Sequence, residues 1–378
     1  MKPWSVLLAL FLLGACQPSG EENAKSKLYT FYVGTYTNGE SKGIYRYQLE
    51  PEGIMHSYGL AAPADNPSFL AMSGNRDFLL AVNEIDSNGT GMVTSFRIQA
   101  DTLRQLSQSP SGGAHPCFVS INAKGYVLAA NYSGGNTGLL RLKENGRLSD
   151  LLDVEQHSGS GTTSRQKHPH AHCAWFEAEG NGVVSADLGT NELWFSMLDT
   201  AKQILKPADP QKLAMSPGAG PRHLAFHPQK PLIYVMNELN STVTMVRKTS
   251  GGNYQKKGSI STLPEDYDGK NTGADIHISN DGRLVYASNR GHNSLAIFRA
   301  DPKTGRLQSV GHQSTHGKWP RNFSLSPDGK YLLVANQHSN NLVAFKRNAS
   351  TGLLKYLNQI QAPSPVCILF RKSAPKRN

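Results

Sequence analysis

Cysteine and charge are both scarce in this sequence. It has four cysteines in 378 residues, with no CxxC pair and no Cys/His ligand spacing, so it carries no signature of a metal site. One of the four, Cys16, lies in an N-terminal leader. The other three, Cys117, Cys173 and Cys367, are an odd number, which argues against a disulfide framework. Each falls at the start of an expected strand, where a small buried thiol is the ordinary role. Only 18% of residues are charged, and no segment after the leader shows a sustained period of 3.6, which excludes a helical bundle. Acids are the scarcer sign, 28 against 39 Lys and Arg, giving a formal charge of +11. That balance suits an acidic ligand or an anionic surface, although a solvated basic face accounts for most of the lysines. Basic residues are not interleaved with aromatics, so no nucleic-acid partner is expected. Glycine (36) and proline (21) are plentiful, as in a turn-rich all-β protein.

The first residues read as a targeting signal. Lys2 is the positive region and Val6–Leu13 the apolar run, too short to span a bilayer. Leu13-Gly14-Ala15-Cys16 resembles the bacterial lipobox, in which the cysteine becomes the acylated N-terminus; an ordinary signal peptide with an incidental cysteine is the alternative. The expectation is a lipoprotein signal peptide over 1–15, lipidation of Cys16 as a membrane anchor, and a flexible polar tether over 16–27. Gln17 after the cysteine resembles an outer-membrane sorting signal of Gram-negative bacteria, on the periplasmic side or at the cell surface.

The rest repeats itself. Asn66-Pro67, His115-Pro116, His168-Pro169, Gly220-Pro221, Trp319-Pro320 and Ser364-Pro365 recur at roughly fifty residues, the scale of propellers, and Gly273-Ala274-Asp275 takes the same place. Each precedes an apolar strand, a turn such as SNDG (279–282) or SPDG (326–329), and a second strand ending in Asn or Asp, as in VLAAN (127–131) or IYVMN (233–237). A third strand follows, and in several units a fourth. Leu28–Leu49 lacks the first strand, and Pro365–Phe370 is a first strand without a successor. Joined, they complete one unit. The expectation is a seven-bladed β-propeller over 28–371 with four-stranded antiparallel blades, the ring closed by pairing the C-terminal strand with the N-terminal ones, and a basic tail over 372–378.

In a propeller the first strand of each blade lines the axis. The repeat register therefore places Ser68, Cys117, His170, Arg222, Asp275, Arg321 and Val366 around one mouth of the channel. The residues after the second-strand Asn or Asp form another ring at the same mouth: Tyr36, Glu84, Tyr132, Leu188, Glu238, Arg290 and Gln337. Blades four to seven thus bring His170, Arg222, Glu238, Arg290 and Arg321 together, with His172 and His292 nearby. Guanidiniums of this kind bind carboxylate or phosphate. Salt bridges such as Arg222–Glu238 are the purely structural reading. His227 reads as a turn residue, and His223 has no assigned role.

The segments YVGTYT (32–37), NPSFLA (66–71), RQKHPHAHCAWF (165–176), GPRHLAFHP (220–228), NELNSTV (237–243), GADIHIS (273–279) and ASNRGHNSLAIF (287–298) together resemble the seven-bladed propeller lactonases. That family includes bacterial 6-phosphogluconolactonases and 3-carboxy-cis,cis-muconate lactonising enzymes. The resemblance spans nearly all of the chain after the leader. By motif it implies a site made of a histidine from Pro169-His170-Ala171-His172, with Arg222, Glu238 and Arg290.

The leading expectation is a lactonase that opens a sugar-acid lactone with water at the channel mouth, without metal or cofactor. Glu238 or His170 would be the general base, Arg222 would stabilise the oxyanion, and Arg290 and Arg321 would hold the substrate's acid group; His172 and His292 are further binding candidates. The partner is then a small anionic lactone or sugar acid. Two other readings remain open on the same fold: a lyase that forms or opens a muconate-type lactone, and a non-enzymatic anchored propeller that binds an acidic glycan or protein.

Overall fold

A computed structural model of the protein describes residues 28–371. The expected leader, the tether with Cys16 and the basic tail lie outside the described residues. Within them the chain folds into seven antiparallel sheets of four strands each. The family of turns read from the sequence sits between the strands as expected. In the fifth blade Pro221–Phe226, Leu232–Asn237, Thr242–Lys248 and Tyr254–Ser261 run outward in order from the axis.

Burial explains the composition of each strand. The second strands, such as Tyr126–Asn131, Leu232–Asn237 and Tyr331–Asn336, are buried along their whole length. They are covered on both faces by neighbouring blades, so they read as continuous apolar runs and not as alternating ones. Fourth strands such as Tyr254–Ser261 sit at the rim and are mostly exposed. The SNDG and SPDG turns use one device twice: Asp281 Oδ1 accepts from Ser279 Oγ and the Arg283 amide, and Asp328 Oδ1 from Ser326 Oγ and the Lys330 amide. Gly282, at φ +74°, supplies the left-handed turn residue, and its missing side chain leaves room for the His227 ring of the fifth blade.

The ring closes as expected. Pro365–Phe370 pairs antiparallel with Tyr29–Thr35, matching Phe31 with Phe370 and Val33 with Ile368. Phe31 packs on Phe370 at 5.4 Å and on Tyr47 at 5.4 Å. Gly34 is required here by close approach, because a Cβ would lie 2.3 Å from the Pro67 carbonyl oxygen of the second blade. Asn83, Asn131, Asn289 and Asn336 each donate through Nδ2 to a backbone carbonyl of the segment linking two blades. Asn237 instead bonds Thr242 and Thr244 of its own blade.

Candidate active site

The innermost strands carry the feature that builds the site. In five blades the residue after the first paired position is skipped by the ladder: Cys117, His172, Arg222, Arg321 and Val366. In the sixth blade the skip covers Ala274 and Asp275. A bulge of this kind re-aims a side chain out of the regular pleat. Next to it, the amides of Tyr36, Glu84, Tyr132, Leu188, Glu238 and Gln337 donate to the carbonyls of Ser364, Asn66, His115, His170, Gly220 and Trp319. The two rings inferred from the repeat therefore do share one mouth.

The fourth blade departs from the register of the repeat. In the fourth blade the paired position equivalent to Pro221 is Ala171, two residues beyond Pro169. His172, not His170, is the bulged residue and lines the cavity. His170 lies just outside, stacked on the Tyr132 ring at 4.4 Å, with Nδ1 2.9 Å from the Tyr132 carbonyl. The Pro-His-Ala-His segment offers two histidines, and its proline marks the turn and not the first paired residue.

A cavity of about 390 Å³ opens at this mouth, the size range of small-ligand sites. Glu238 is its centre. Its Oε2 accepts from Arg222 Nε at 3.0 Å and Arg290 at 2.8 Å, and Oε1 faces Arg165 at 3.2 Å. Burial alone would raise the carboxyl pKa. Arg290, Arg222 and Arg165 override it and hold Glu238 at about 2. Burial draws Arg290 down to about 10, against the pull of Glu238, so it stays protonated at neutral pH. The Arg222–Glu238 salt bridge exists, within one blade. Arg222 stands behind the cavity wall: its NH1 donates to the Ala274 carbonyl at 2.7 Å and lies 3.2 Å from His223 Nε2.

The opposite wall is a second cluster. Arg321 donates to the Tyr36 hydroxyl at 2.7 Å, and that hydroxyl donates to the Glu84 carboxylate at 2.9 and 3.0 Å. Counting Arg165, Arg222, Arg290 and Arg321 against Glu84 and Glu238, the site carries two positive charges in excess. His172 completes it. Burial first, then Arg222 and His223, hold its pKa well below the ordinary imidazole value, so it is neutral. Its Nδ1 is 3.5 Å from Cys117 Sγ, and among the described residues Nε2 has no hydrogen-bond partner. Cys117, Cys173 and Cys367 are all free and buried. His292 does not line the cavity; its Nδ1 is 2.6 Å from Ser294 Oγ. Leu188, the fourth blade's member of the second ring, is buried and apolar. That blade contributes Arg165 instead, from the short 3-10 turn Ser164–Gln166. The repeat register has no place for Arg165, since no strand carries it.

Beneath Arg222 a buried chain continues along the axis. His223 Nδ1–H donates to Asp275 Oδ1 at 2.7 Å, while its Nε2 accepts from Arg222. Asp275 Oδ2 accepts from Asn322 Nδ2 at 2.6 Å, His277 Nε2 at 3.0 Å and the Phe323 amide at 3.3 Å. Burial and Arg222 bring His223 down to about 4, consistent with the neutral tautomer these bonds require. The histidine left without a role by sequence thus positions Arg222. Among the described residues no group of three His, Cys, Asp or Glu side chains is arranged to hold a metal ion. A larger surface groove of about 1000 Å³ lies among the turns Ser73–Asn75 and Asn122–Gly125, but its ionisable residues are all exposed.

Residues 30–370 match the family model of the seven-bladed β-propeller lactonases. The chain belongs to that family. It is 37% identical to a 6-phosphogluconolactonase of Bacillus subtilis over 300 residues, 78% of this chain and 84% of that one. A 6-phosphogluconolactonase of Formosa agariphila is 34% identical over 267 residues, 69% of this chain and 75% of that one. A periplasmic gluconolactonase of Pseudomonas aeruginosa has the same architecture, with a TM-score of 0.87, 32% identity, and coverage of 92% of this chain and 100% of that one.

Proposed function

We propose that this lactonase-family protein hydrolyses a sugar-acid lactone in the cavity at the channel mouth, without a metal. The carrying observation is the buried Glu238 carboxylate, clamped by Arg222 and Arg290 in a small cavity with a neutral histidine. The names and similarity of the relatives support the same reading.

The reaction needs a positioned water, a proton acceptor and a cation at the carbonyl oxygen. Glu238, ionised throughout the physiological range, orients the water but is a weak base at a pKa of about 2. His172, neutral and with Nε2 free, takes the water's proton as the oxygen bonds to the carbonyl carbon. Arg290 neutralises the oxyanion: its Nε is buried and unpartnered, a preorganised donor. Arg222, engaged elsewhere, holds Glu238 in place. When the tetrahedral intermediate collapses, the ring C–O bond breaks and the imidazolium returns its proton to the leaving alkoxide. Arg321 attracts the anionic end of the substrate or product. His170 supports the Tyr132 ring.

The test is a lactone panel on the purified protein: glucono-1,5-lactone, its 6-phosphate and a muconolactone. Arg290→Ala should cost about a hundredfold or more in kcat. His172→Gln should lose about a hundredfold in kcat, and His170→Ala only a few-fold, an ordering that the opposite result would reverse. Because the His172 imidazole is held well below its ordinary value, the acid limb of kcat should lie below pH 6.5. A protein that turns over no lactone but retains an acidic saccharide would be a binding module instead.

We further propose export and lipid anchoring through Cys16, supported by the leader sequence and by the periplasmic relative. Cys16→Ser should release the protein from the membrane fraction and abolish fatty-acid labelling.

A further inference from the structure

Three buried polar atoms of the cavity have no hydrogen-bond partner among the described residues: Arg290 Nε, Thr272 Oγ1 and Gln337 Oε1. Buried polar groups are normally satisfied, so each marks a place where a ligand group is expected. Arg290 is the catalytic cation of the reading above. Thr272 and Gln337 are used by nothing in that reaction, and both sit on the wall formed by blades six and seven.

The same wall carries Trp319. Its position in the repeat is the left-handed residue before the first strand, filled elsewhere by Asn66, His115, Gly220 and Ser364 at φ of +41°, +51°, +64° and +42°. Trp319 adopts φ +66° there. A bulky side chain is a poor occupant of this conformation, and four other blades use residues better suited to it. The strained residue is thus placed where the cavity needs an indole. It is braced by the His338 ring, stacked at 4.8 Å, and by the Arg290 guanidinium, 5.4 Å from the ring centre.

We propose that Trp319, Gln337 and Thr272 form the subsite that recognises the hydroxyl-bearing carbons of the substrate and so select hydroxylated lactones over polycarboxylate ones. The proposal rests on the lactonase reading of the same cavity. Its chemistry is complementary. The rigid indole is an apolar wall for the C–H bonds of a lactone ring. Gln337 Oε1 asks for a donor, and the carboxylate of Glu238, ionised at neutral pH, only accepts. A substrate hydroxyl brings both a donor and an acceptor, whereas a muconate-type polycarboxylate brings acceptors and negative charge. Thr272 accepts or donates, and can follow either.

The experiment compares glucono-1,5-lactone with δ-valerolactone, the same six-membered lactone without hydroxyls, in wild type, Trp319→Ala, Trp319→Phe and Gln337→Leu. Binding of gluconate is measured by calorimetry on the same proteins. Trp319→Ala and Gln337→Leu should each raise KM for the hydroxylated lactone about tenfold relative to the bare one, the scale of a lost hydrogen bond. Gluconate affinity should weaken by a similar factor, and Trp319→Phe should recover much of the loss. An unchanged KM ratio in both variants, or a wild type that prefers the muconolactone, overturns the proposal. A wild type that binds gluconate through Trp319 but hydrolyses neither lactone upholds the subsite and removes the lactonase reading. Hydrolysis of both lactones with equal KM and no gluconate binding removes the subsite and leaves the lactonase reading standing.

Discussion

Replacing Glu238 by Gln is expected to lower kcat on the accepted lactone by about a hundredfold or more and to make the protein melt at a lower temperature. The two effects have one origin. Glu238 compensates two guanidiniums that are almost wholly buried, Arg222 and Arg290, and Gln leaves both without an anion. Breaking a buried pair from one side costs about 3 to 5 kcal/mol. Gln keeps an acceptor oxygen and the cavity admits solvent, so the lower figure applies, a fall of roughly 5 °C for a chain of this size. The pH profile separates charge from shape. The carboxyl titrates at about 2 in the fold, against 4.5 ordinarily. Its contribution is therefore full above about pH 4.5 and is lost as pH falls towards 2. Thermal melts from pH 5 to pH 2 should show this slope in wild type and lose that part of it in Glu238→Gln. Adding Arg290→Gln should restore part of the stability and none of the activity. An active Glu238→Gln would remove the carboxylate from the mechanism.

Asp275→Asn is the second large effect. Asp275 accepts from His223, His277, Asn322 and the Phe323 amide, and is buried at 3% exposure. With the Ile276 amide on Oδ1 at 3.0 Å, five donors converge there, and the charge of the carboxylate is what makes them compatible at one point. Burial opposes that charge, but His277 and His223 outweigh the penalty and depress the carboxyl below its ordinary value. The asparagine must turn its amide towards donors on one side, so a loss of about 3 kcal/mol or more is expected. Its His223 contact can also invert, swapping the imidazole tautomer and withdrawing the acceptor from Arg222. A several-fold drop in kcat with KM nearly unchanged would report that displacement.

The pH dependence around Asp275 runs in two directions. His277 has its pKa raised, burial opposing and Asp275 prevailing. Its contribution is full below pH 6.5 and is lost as pH rises through the raised value. His223, lowered to about 4 by burial and Arg222, contributes above pH 6.5 and loses that contribution as pH falls towards 4. Melting curves across pH 4 to 9 should lose their alkaline slope in Asp275→Asn. A variant with the wild-type slope at both ends would show that Asp275 does not set these ionisations.

The fold was legible because its repeat is written in turns and second strands. IYVMN and LLVAN are apolar up to their final Asn, since blades cover both faces, and SNDG and SPDG need their Asp and Gly for turn geometry. The site was legible to the extent that it follows that repeat: Glu238 and Arg290 each come directly after a second-strand Asn, and Arg222 and Arg321 follow their prolines. Two features fell outside it. In the fourth blade the pairing begins at Ala171, and a proline constrains its own backbone without dictating which neighbour bonds across the ladder. Arg165 comes from a connection with no period at all. Trp319 was visible as half of a Trp-Pro start point, but its meaning depends on the left-handed backbone that only coordinates reveal.

The seam between Tyr29–Thr35 and Pro365–Phe370 joins segments separated by almost the whole described chain. Synthesis and closure are thereby set in opposition. Six blades can zip from neighbouring segments, while the first made must wait, one strand short, for the last made. During that wait Tyr29–Thr35 offers an unpaired edge, which is a template for intermolecular strand exchange. Holding the seam shut is also a matter of rate. Prying off Pro365–Phe370 would open the ring at a single place, so pulling from the chain ends should unravel this protein more readily than pulling through any other blade.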